Sequence, residues 1–258
     1  MKYLLLSLAL CFIHCSNASQ NTILQNLFSK HVYLIILAHP DDETWMNGTL
    51  ARLAQQKKTI HILYATSGGE GNDYSGQNLA GPQLARVREQ ETRNALKLLG
   101  VVQPPSFLRH QDKELSKSKI ALLNDIENAI DHIHPDVIFT FEPNGITGHK
   151  DHKLVQRLTK QALAKADQPI MLVPFAVSKK RATILATIGE QIQNPYRIKH
   201  SYDDSLSLLN IQVNKVTSER INAFAAYPTQ FPESLQTLWQ AFVVAAPYEE
   251  FLIIERLK

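Results

Sequence analysis

Short apolar runs alternate with amphipathic stretches along most of the chain. Residues 32–38 (VYLIILA) are continuously apolar and rich in β-branched side chains, which predicts a strand buried on both faces. Residues 43–56 follow with Leu50, Leu53 and Ala54 on one side, the spacing of a helix, and residues 59–65 (TIHILYA) read as a second strand. An amphipathic helix is predicted over 83–99, ended by Gly100 as a C-cap. Beyond it come a short strand at 106–110, a helix over 117–134 with Ile120, Leu123, Ile126, Ile130 and Ile133 at helical spacing, and an apolar strand at 137–141. A helix over 150–164 and a strand over 170–177 complete the alternation.

Strands alternating with helices imply parallel βαβ units and a sheet covered on both faces. The last third is less regular, with a strand over 206–213, helices over 215–226 and 234–245, and an extended stretch at 251–255. No Pro/Gly linker or repeat divides it off. The expected fold is therefore a single α/β domain over 19–258. It would be a Rossmann-like three-layer αβα sandwich with a mostly parallel sheet and a C-terminal extension.

The N-terminus follows different rules. Met1-Lys2 is a short positive region, residues 3–13 are apolar, and Ser16-Asn17-Ala18 offers small residues at a cleavage site, together the pattern of a secretory signal peptide over 1–18. The apolar run is shorter than the roughly 20 residues of a membrane span. Cleavage after Ala18 removes both cysteines, Cys11 and Cys15, and leaves an exported, periplasmic or secreted protein without stable membrane insertion. The alternative is a retained N-terminal anchor. A mature chain without cysteine has no thiolate metal site and no cysteine nucleophile.

Composition narrows the classes further. With 44% hydrophobic and 20% charged residues the chain is globular rather than disordered or coiled-coil. A net charge of +3, from 27 basic and 24 acidic residues, is too small for a nucleic-acid or anionic-membrane surface. The short clusters Lys57-Lys58 and Lys179-Lys180-Arg181 read as solvated faces.

Candidate chemistry gathers at two places. His39-Pro40-Asp41-Asp42-Glu43 follows the first strand directly, and His149-Lys150-Asp151-His152 follows the 137–141 strand by one loop. Ligands bind beyond the carboxyl ends of strands in open parallel sheets, so the fold can bring both motifs together. His39 and Asp42 are three apart across a tight turn that Pro40 helps to set, and His149 and His152 are three apart on one helical face. Two imidazoles and a carboxylate suit Zn²⁺, with Fe²⁺, Co²⁺ or Mn²⁺ compatible with the same donors. His31, His61, His110, His132, His134 and His200 have no such company and read as structural or exposed. The segment 66–82 holds five of the chain's ten glycines and reads as a functional loop.

The string Ala38-His39-Pro40-Asp41-Asp42-Glu43-Thr44 resembles the signature of the LmbE-like/PIG-L family of zinc-dependent N-acetylglucosaminyl de-N-acetylases. The resemblance continues in order through Gly48-Thr49-Leu50-Ala51, the loop 66–71, Arg88-Glu89-Gln90-Glu91 with Ala95 and Leu99-Gly100, Asp112, and Gly148-His149-Lys150-Asp151-His152. It covers residues 31–160 well and the remainder loosely. It implies zinc ligation by His39, Asp42 and His152, with Asp41 as general base. His149 would stabilise the oxyanion, protonated and oriented by Asp151, and Arg88 and Asp112 would contact polar groups of the substrate. The departures are Asn47 where many members have glycine, bulky Trp45-Met46 beside the site, Thr147 in place of a tyrosine, and Tyr227 in place of a histidine.

The implied function is hydrolysis of the acetamide of an N-acetylglucosamine-containing substrate. Competing readings are a zinc hydrolase of another amide and a carbohydrate-binding protein that keeps the metal site without turnover. A nucleotide-binding loop at 66–71 is a third, weakened because that string is not G-x-G-x-x-G. Trp45, Tyr64, Tyr74 and Phe107 are expected in the core rather than on a sugar platform. Oligomeric state is not legible.

Overall fold

The computed structural model describes residues 17–252 apart from residue 207. The apolar run of the signal-peptide pattern, both cysteines and most of the 251–255 stretch lie outside these residues. Helix α1 (Asn17–Ser29) leads into β1 (Val32–Leu37), then a 3₁₀ turn (Asp42–Met46), α2 (Asn47–Gln55) and β2 (Thr59–Tyr64). Next come α3 (Gly81–Leu98), β3 (Ser106–Phe107), α4 (Lys119–Ile133), β4 (Val137–Phe141), the kinked turn α5 (Gly145–Gly148) and α6 (Lys150–Leu163). The last described elements are β5 (Met171–Ala176), α7 (Lys179–Gln191), β6 (Leu209–Gln212), α8 (Thr217–Ala225), α9 (Glu233–Ala245) and β7 (Tyr248–Phe251).

The seven strands run in the order β3-β2-β1-β4-β5-β7-β6. β1 pairs in parallel with β2 (Val32 opposite Thr59) and with β4 (Tyr33 opposite Val137), and β2–β3 and β4–β5 are also parallel. β1 and β4 are buried over nearly their whole length, as strands covered on both faces must be. The chain steps outward from β1 through β2 to β3 and then returns to β4 on the other side of β1. That reversal opens a crevice at the carboxyl ends of β1 and β4, which is where both motifs lie. α4 packs on α6, while α8 packs on α2 and α3, and α9 on α7 and α8. The sandwich and mostly parallel sheet expected from the sequence are present.

Several features differ from the sequence reading, among them helix α1. α7 follows β5 where no helix was expected, and its Arg181 is fully buried rather than solvated. The guanidinium lies over the rings of Phe242 and Tyr248, 5.0 and 5.8 Å from their centroids, a stacked environment that suits a planar cation. The last described strand begins at Tyr248, earlier than expected, and inserts antiparallel between β5 and β6. It was hidden because Glu249 and Glu250 look like solvent residues, yet both are buried.

Those two carboxylates tie β7 to the starts of α2 and α7. Glu249 accepts from Gly48 N, Thr49 N and Thr49 Oγ1 at 2.8, 2.8 and 2.6 Å, satisfying first-turn donors of α2 and opposing the positive end of its dipole. Arg220 Nε lies 3.4 Å from Glu249 Oε1 and donates to Asn47 Oδ1 at 3.2 Å. Asn47, a departure from the resembled pattern, thus clamps α8 onto α2. Glu250 accepts from Ser178 N at 2.7 Å. Glu249→Ala leaves Arg220 without its carboxylate and orphans the α2 donors. It should lower stability by about 3–5 kcal/mol in equilibrium urea unfolding.

Candidate active site

The turn after β1 is built by its own polar side chains. The Asp42 carboxylate folds back to accept from His39 N at 2.7 Å, and Asp42 N donates to His39 O at 3.3 Å. This places Asp41 in the left-handed region (φ 97°), a conformation costly for a residue with a Cβ, and Asp41 lines the cavity at the sheet end. Glu43 anchors the turn from beneath, fully buried, accepting from Tyr64 OH at 2.8 Å and from Tyr227 OH.

The second motif hangs from a loop ordered by a buried carboxylate that sequence reasoning passed over. Glu142, at the end of β4, accepts from Asn144 N at 2.7 Å, Ile146 N at 2.6 Å and Tyr202 OH at 2.8 Å. Ile146 is held at φ 52°, an outlier for a β-branched residue, and its carbonyl accepts from His200 N at 3.0 Å. Gly145 has φ +70°, and a Cβ there would come within 2.7 Å of the His152 Cβ, so only glycine fits. Phe141 stacks on the His152 ring at 4.2 Å.

These loops converge on a compact donor set. His39 Nδ1 lies 3.2 Å from His152 Nε2, His152 Nε2 lies 3.0 Å from Asp42 Oδ1, and His39 Nδ1 lies 3.5 Å from Asp42 Oδ2. A tetrahedral divalent ion with bonds of about 2.0–2.1 Å sets its ligand atoms about 3.3 Å apart, so this spacing fits one. The remaining ring atoms agree. His152 Nδ1 faces Gly145 O at 3.1 Å, which takes its proton and leaves the Nε2 lone pair facing the cluster. His39 Nε2 lies 3.2 Å from Asp112 Oδ1 and 3.5 Å from Asp151 Oδ2, carboxylates that orient the ring, although neither is aligned well enough to complete a hydrogen bond. One ring nitrogen from each of His39, His149 and His152 lies within 4.8 Å of the other two.

The electrostatics follow from burial and proximity. Burial opposes charge on His39, but Asp112, Asp151 and Asp42 outweigh it and hold the imidazole well above its ordinary value. Burial would raise Asp42, yet His152 and His39 hold it far below the carboxylate range. Burial and the neighbouring Asp42 charge push Asp41 well above that range. His149 is pushed down to about 4 by burial and by His39 and His152. This corrects the expectation of a protonated His149 held by the Asp151 carboxylate. That carboxylate is 3.9 Å from His149 Nδ1, beyond hydrogen-bonding reach, and faces His39 and Lys113 N instead. Nδ1 of His149 accepts from the Asp151 backbone N at 3.3 Å, so the neutral ring carries its proton on Nε2.

A cavity of about 330 Å³ surrounds this cluster. Arg88 lines it, buried, donating to Gly68 O at 2.6 Å and Asn72 O at 2.9 Å; it does not pair with Glu91, which binds Thr229. Asp112 lines it too, accepting from Glu70 N at 3.1 Å. All eight residues singled out from the sequence therefore meet at one end of the sheet. Of the aromatics expected in the core, Tyr64 and Phe107 stack on each other, whereas Trp45 and Tyr74 line the cavity. Tyr196, Phe224, Gln230, Leu238 and Trp239 also line it and were missed, because only the fold returns the C-terminal helices to the site.

Comparison with known proteins agrees with this geometry. The sequence matches the PIG-L family, GlcNAc-PI de-N-acetylase, over residues 34–163, which is more than half of the chain. The chain belongs to the PIG-L family. It is 28% identical to a 1D-myo-inositol 2-acetamido-2-deoxy-alpha-D-glucopyranoside deacetylase of Gordonia bronchialis, over 76% of this chain and 83% of that protein. In fold it is similar to the N,N'-diacetylchitobiose deacetylase of Pyrococcus horikoshii (TM-score 0.66, 20% identity, 94% of this chain and 91% of that one). It is also similar to GalB, the 4-carboxy-2-hydroxymuconate hydratase of Pseudomonas putida KT2440 (TM-score 0.62, 16% identity, 88% and 100%). Within this PIG-L chain the fold alone does not single out hydrolysis of an amide, and the donor set carries that argument.

Two outcomes test the site. Burial pushes Glu43 up from 4.5 to about 7 in the metal-free protein, against the two tyrosine hydrogen bonds that lower it. The folded state then holds a proton that the unfolded chain has released, so stability falls as pH rises from about 4.5 to 7, by about 3 kcal/mol in all. Glu43→Gln should remove that slope in urea midpoints measured across this range. Glu142→Gln, which substitutes an amide donor opposite Asn144 N or Ile146 N, should weaken metal binding about tenfold in a chelator-competition titration.

Proposed function

We propose that the chain is a zinc-dependent hydrolase that removes the acetyl group from an N-acetylglucosamine-containing substrate. The observation that carries this reading is the convergence of His39 Nδ1, Asp42 and His152 Nε2 at 3.0–3.5 Å beside the Asp41 carboxyl. Family membership supports the reaction, and the named activities of the relatives support an N-acetylated amino sugar as substrate. His39, Asp42 and His152 would hold the ion. Zinc, the ion these donors suit, supplies Lewis acidity that polarises the amide carbonyl and acidifies water.

The chain's own groups then divide the work. Asp41, held toward the cavity by its left-handed backbone, takes the proton of the attacking water as the water oxygen bonds to the carbonyl carbon. His149, neutral with its proton on Nε2, donates a hydrogen bond to the carbonyl oxygen as negative charge grows there. Asp41 next passes its proton to the nitrogen as the C–N bond breaks, releasing acetate and the free amine. Arg88 and Asp112 hold hydroxyl groups of the sugar on the polar side of the cavity.

The reading includes export, supported by the signal-peptide pattern of residues 1–18. No described helix is long and apolar enough to cross a membrane.

Acetate release by zinc-loaded and zinc-stripped protein from N-acetylglucosamine, chitooligosaccharides and glucosaminyl-inositol glycolipids tests the reaction. Zinc-dependent release from any of them is expected. Zinc-dependent sugar binding without release would instead favour the carbohydrate-binding alternative. Asp41→Asn should retain one ion per chain by metal analysis and lose at least about 100-fold in kcat.

A further inference from the structure

Tyr74 is the only Phe, Tyr or Trp side chain among the described residues that is exposed, at 53%, and it lines the cavity. An aromatic ring left in water forgoes the burial that normally places it in a core. Here the backbone beneath the ring is pinned residue by residue. Asn72 O accepts from Arg88 Nη2 at 2.9 Å, and Tyr74 N donates to Thr229 O at 3.0 Å. Between them the Asp73 carboxylate accepts from Ser75 N, Ser75 Oγ and Leu79 N at 2.8, 2.7 and 2.9 Å. The ring therefore stands on an ordered support that holds it out rather than folding it in. Asn72, also exposed and also lining the cavity, brings an amide beside it, with Nδ2 3.5 Å from Tyr74 Oη.

Arg88 connects this ring to the substrate. Its guanidinium lines the cavity and grips the Gly68 and Asn72 carbonyls, so a sugar whose hydroxyls meet Arg88 and Asp112 lies beside Asn72. Tyr74 is two residues further along, a reach of at most about 7 Å, the distance that one more ring can cover. A six-membered polyhydroxylated ring carries C–H bonds on its faces and hydroxyls around its edge. The C–H face packs on the electron-rich face of an aromatic ring, and the edge hydroxyls pair with amides. We infer that Tyr74 is the stacking platform of an outer subsite, and that the enzyme acts on N-acetylglucosamine joined to a second such ring in preference to free N-acetylglucosamine. The inference rests on the deacetylase reading above. Stacking makes and breaks no bond, and the acetyl group leaves the inner sugar as already described.

Steady-state acetate release by the zinc-loaded enzyme from free N-acetylglucosamine, N-acetylglucosaminyl-glucose and N-acetylglucosaminyl-inositol tests it. Covering most of one exposed aromatic face is worth about tenfold, so kcat/KM for at least one two-ring compound should exceed that for the free sugar by about that factor. Which of the two gains identifies the second ring as a sugar or a cyclitol. Tyr74→Ala should bring the two-ring-to-one-ring ratio close to one, and Tyr74→Phe, which keeps the ring and removes the hydroxyl, should preserve it. Calorimetric titration of the metal-free protein with the same compounds reads binding without turnover, and should show the same preference and its loss in Tyr74→Ala. A ratio near one in the unsubstituted enzyme overturns the inference and leaves the deacetylase reading standing. A gain that survives Tyr74→Ala overturns it too, by placing the second ring elsewhere, as does a gain that Tyr74→Phe abolishes, by assigning it to the hydroxyl. No release from any compound by metal-loaded protein removes the deacetylase reading, and this inference with it.

Discussion

The site depends on one buried carboxylate placed between two imidazoles, one in the turn after β1 and one in the first turn of α6. Asp42 is almost inaccessible, and it holds His39 through a backbone hydrogen bond while lying 3.0 Å from His152 Nε2. Burying that charge is costly unless it is paired, so the arrangement demands that β1 and β4 be neighbours and that their loops point the same way. The parallel pairing of Tyr33 with Val137 meets the first demand. The reversal of strand order meets the second, because no crossover covers the crevice where these strands end.

Backbone strain appears where the same constraint acts. Asp41 and Ile146 both have positive φ, on the two loops that face each other across the donor set. Each strained residue is held by neighbours that leave it little choice: the Asp42 fold-back and buried Glu43 on one side, the Glu142–Tyr202 contact and the Gly145 bend on the other. The strain presents Asp41 to the cavity, and the Gly145 carbonyl fixes the tautomer that turns His152 Nε2 toward the metal position. A local cost in conformation thereby becomes a preorganised set of donors.

The C-terminal extension is part of the same machine. Glu249 grips the first turn of α2, which starts immediately after the turn bearing Asp41 and Asp42, and Arg220 joins α8 to that grip. Tyr227 reaches Glu43 beneath the metal turn, and Thr229 binds Glu91 on the helix that carries Arg88. The C-terminal helices that line the cavity are therefore tied to the residues around the donor set. The sandwich is shared with a hydratase as well as with a deacetylase, so the fold by itself does not fix the reaction.

Local pattern determined the alternating elements, the sheet class and the two motifs, because continuous apolar runs, helical spacing and His/Asp spacing are properties of neighbouring residues. The resemblance of those motifs to a known family extended the reading to particular roles. Tertiary structure alone decided the rest. That Arg181, Glu249 and Glu250 are interior groups follows from partners distant in sequence, and composition presents them as solvent residues. The neutral state of His149 comes from burial and from two imidazoles, one of them 110 positions away along the chain. Phe224, Leu238 and Trp239 come from helices whose apolar faces read as ordinary core, and only the return of those helices across the sheet end brings them to the cavity. Sequence periodicity reports which face of an element is buried; what it is buried against is settled by the fold.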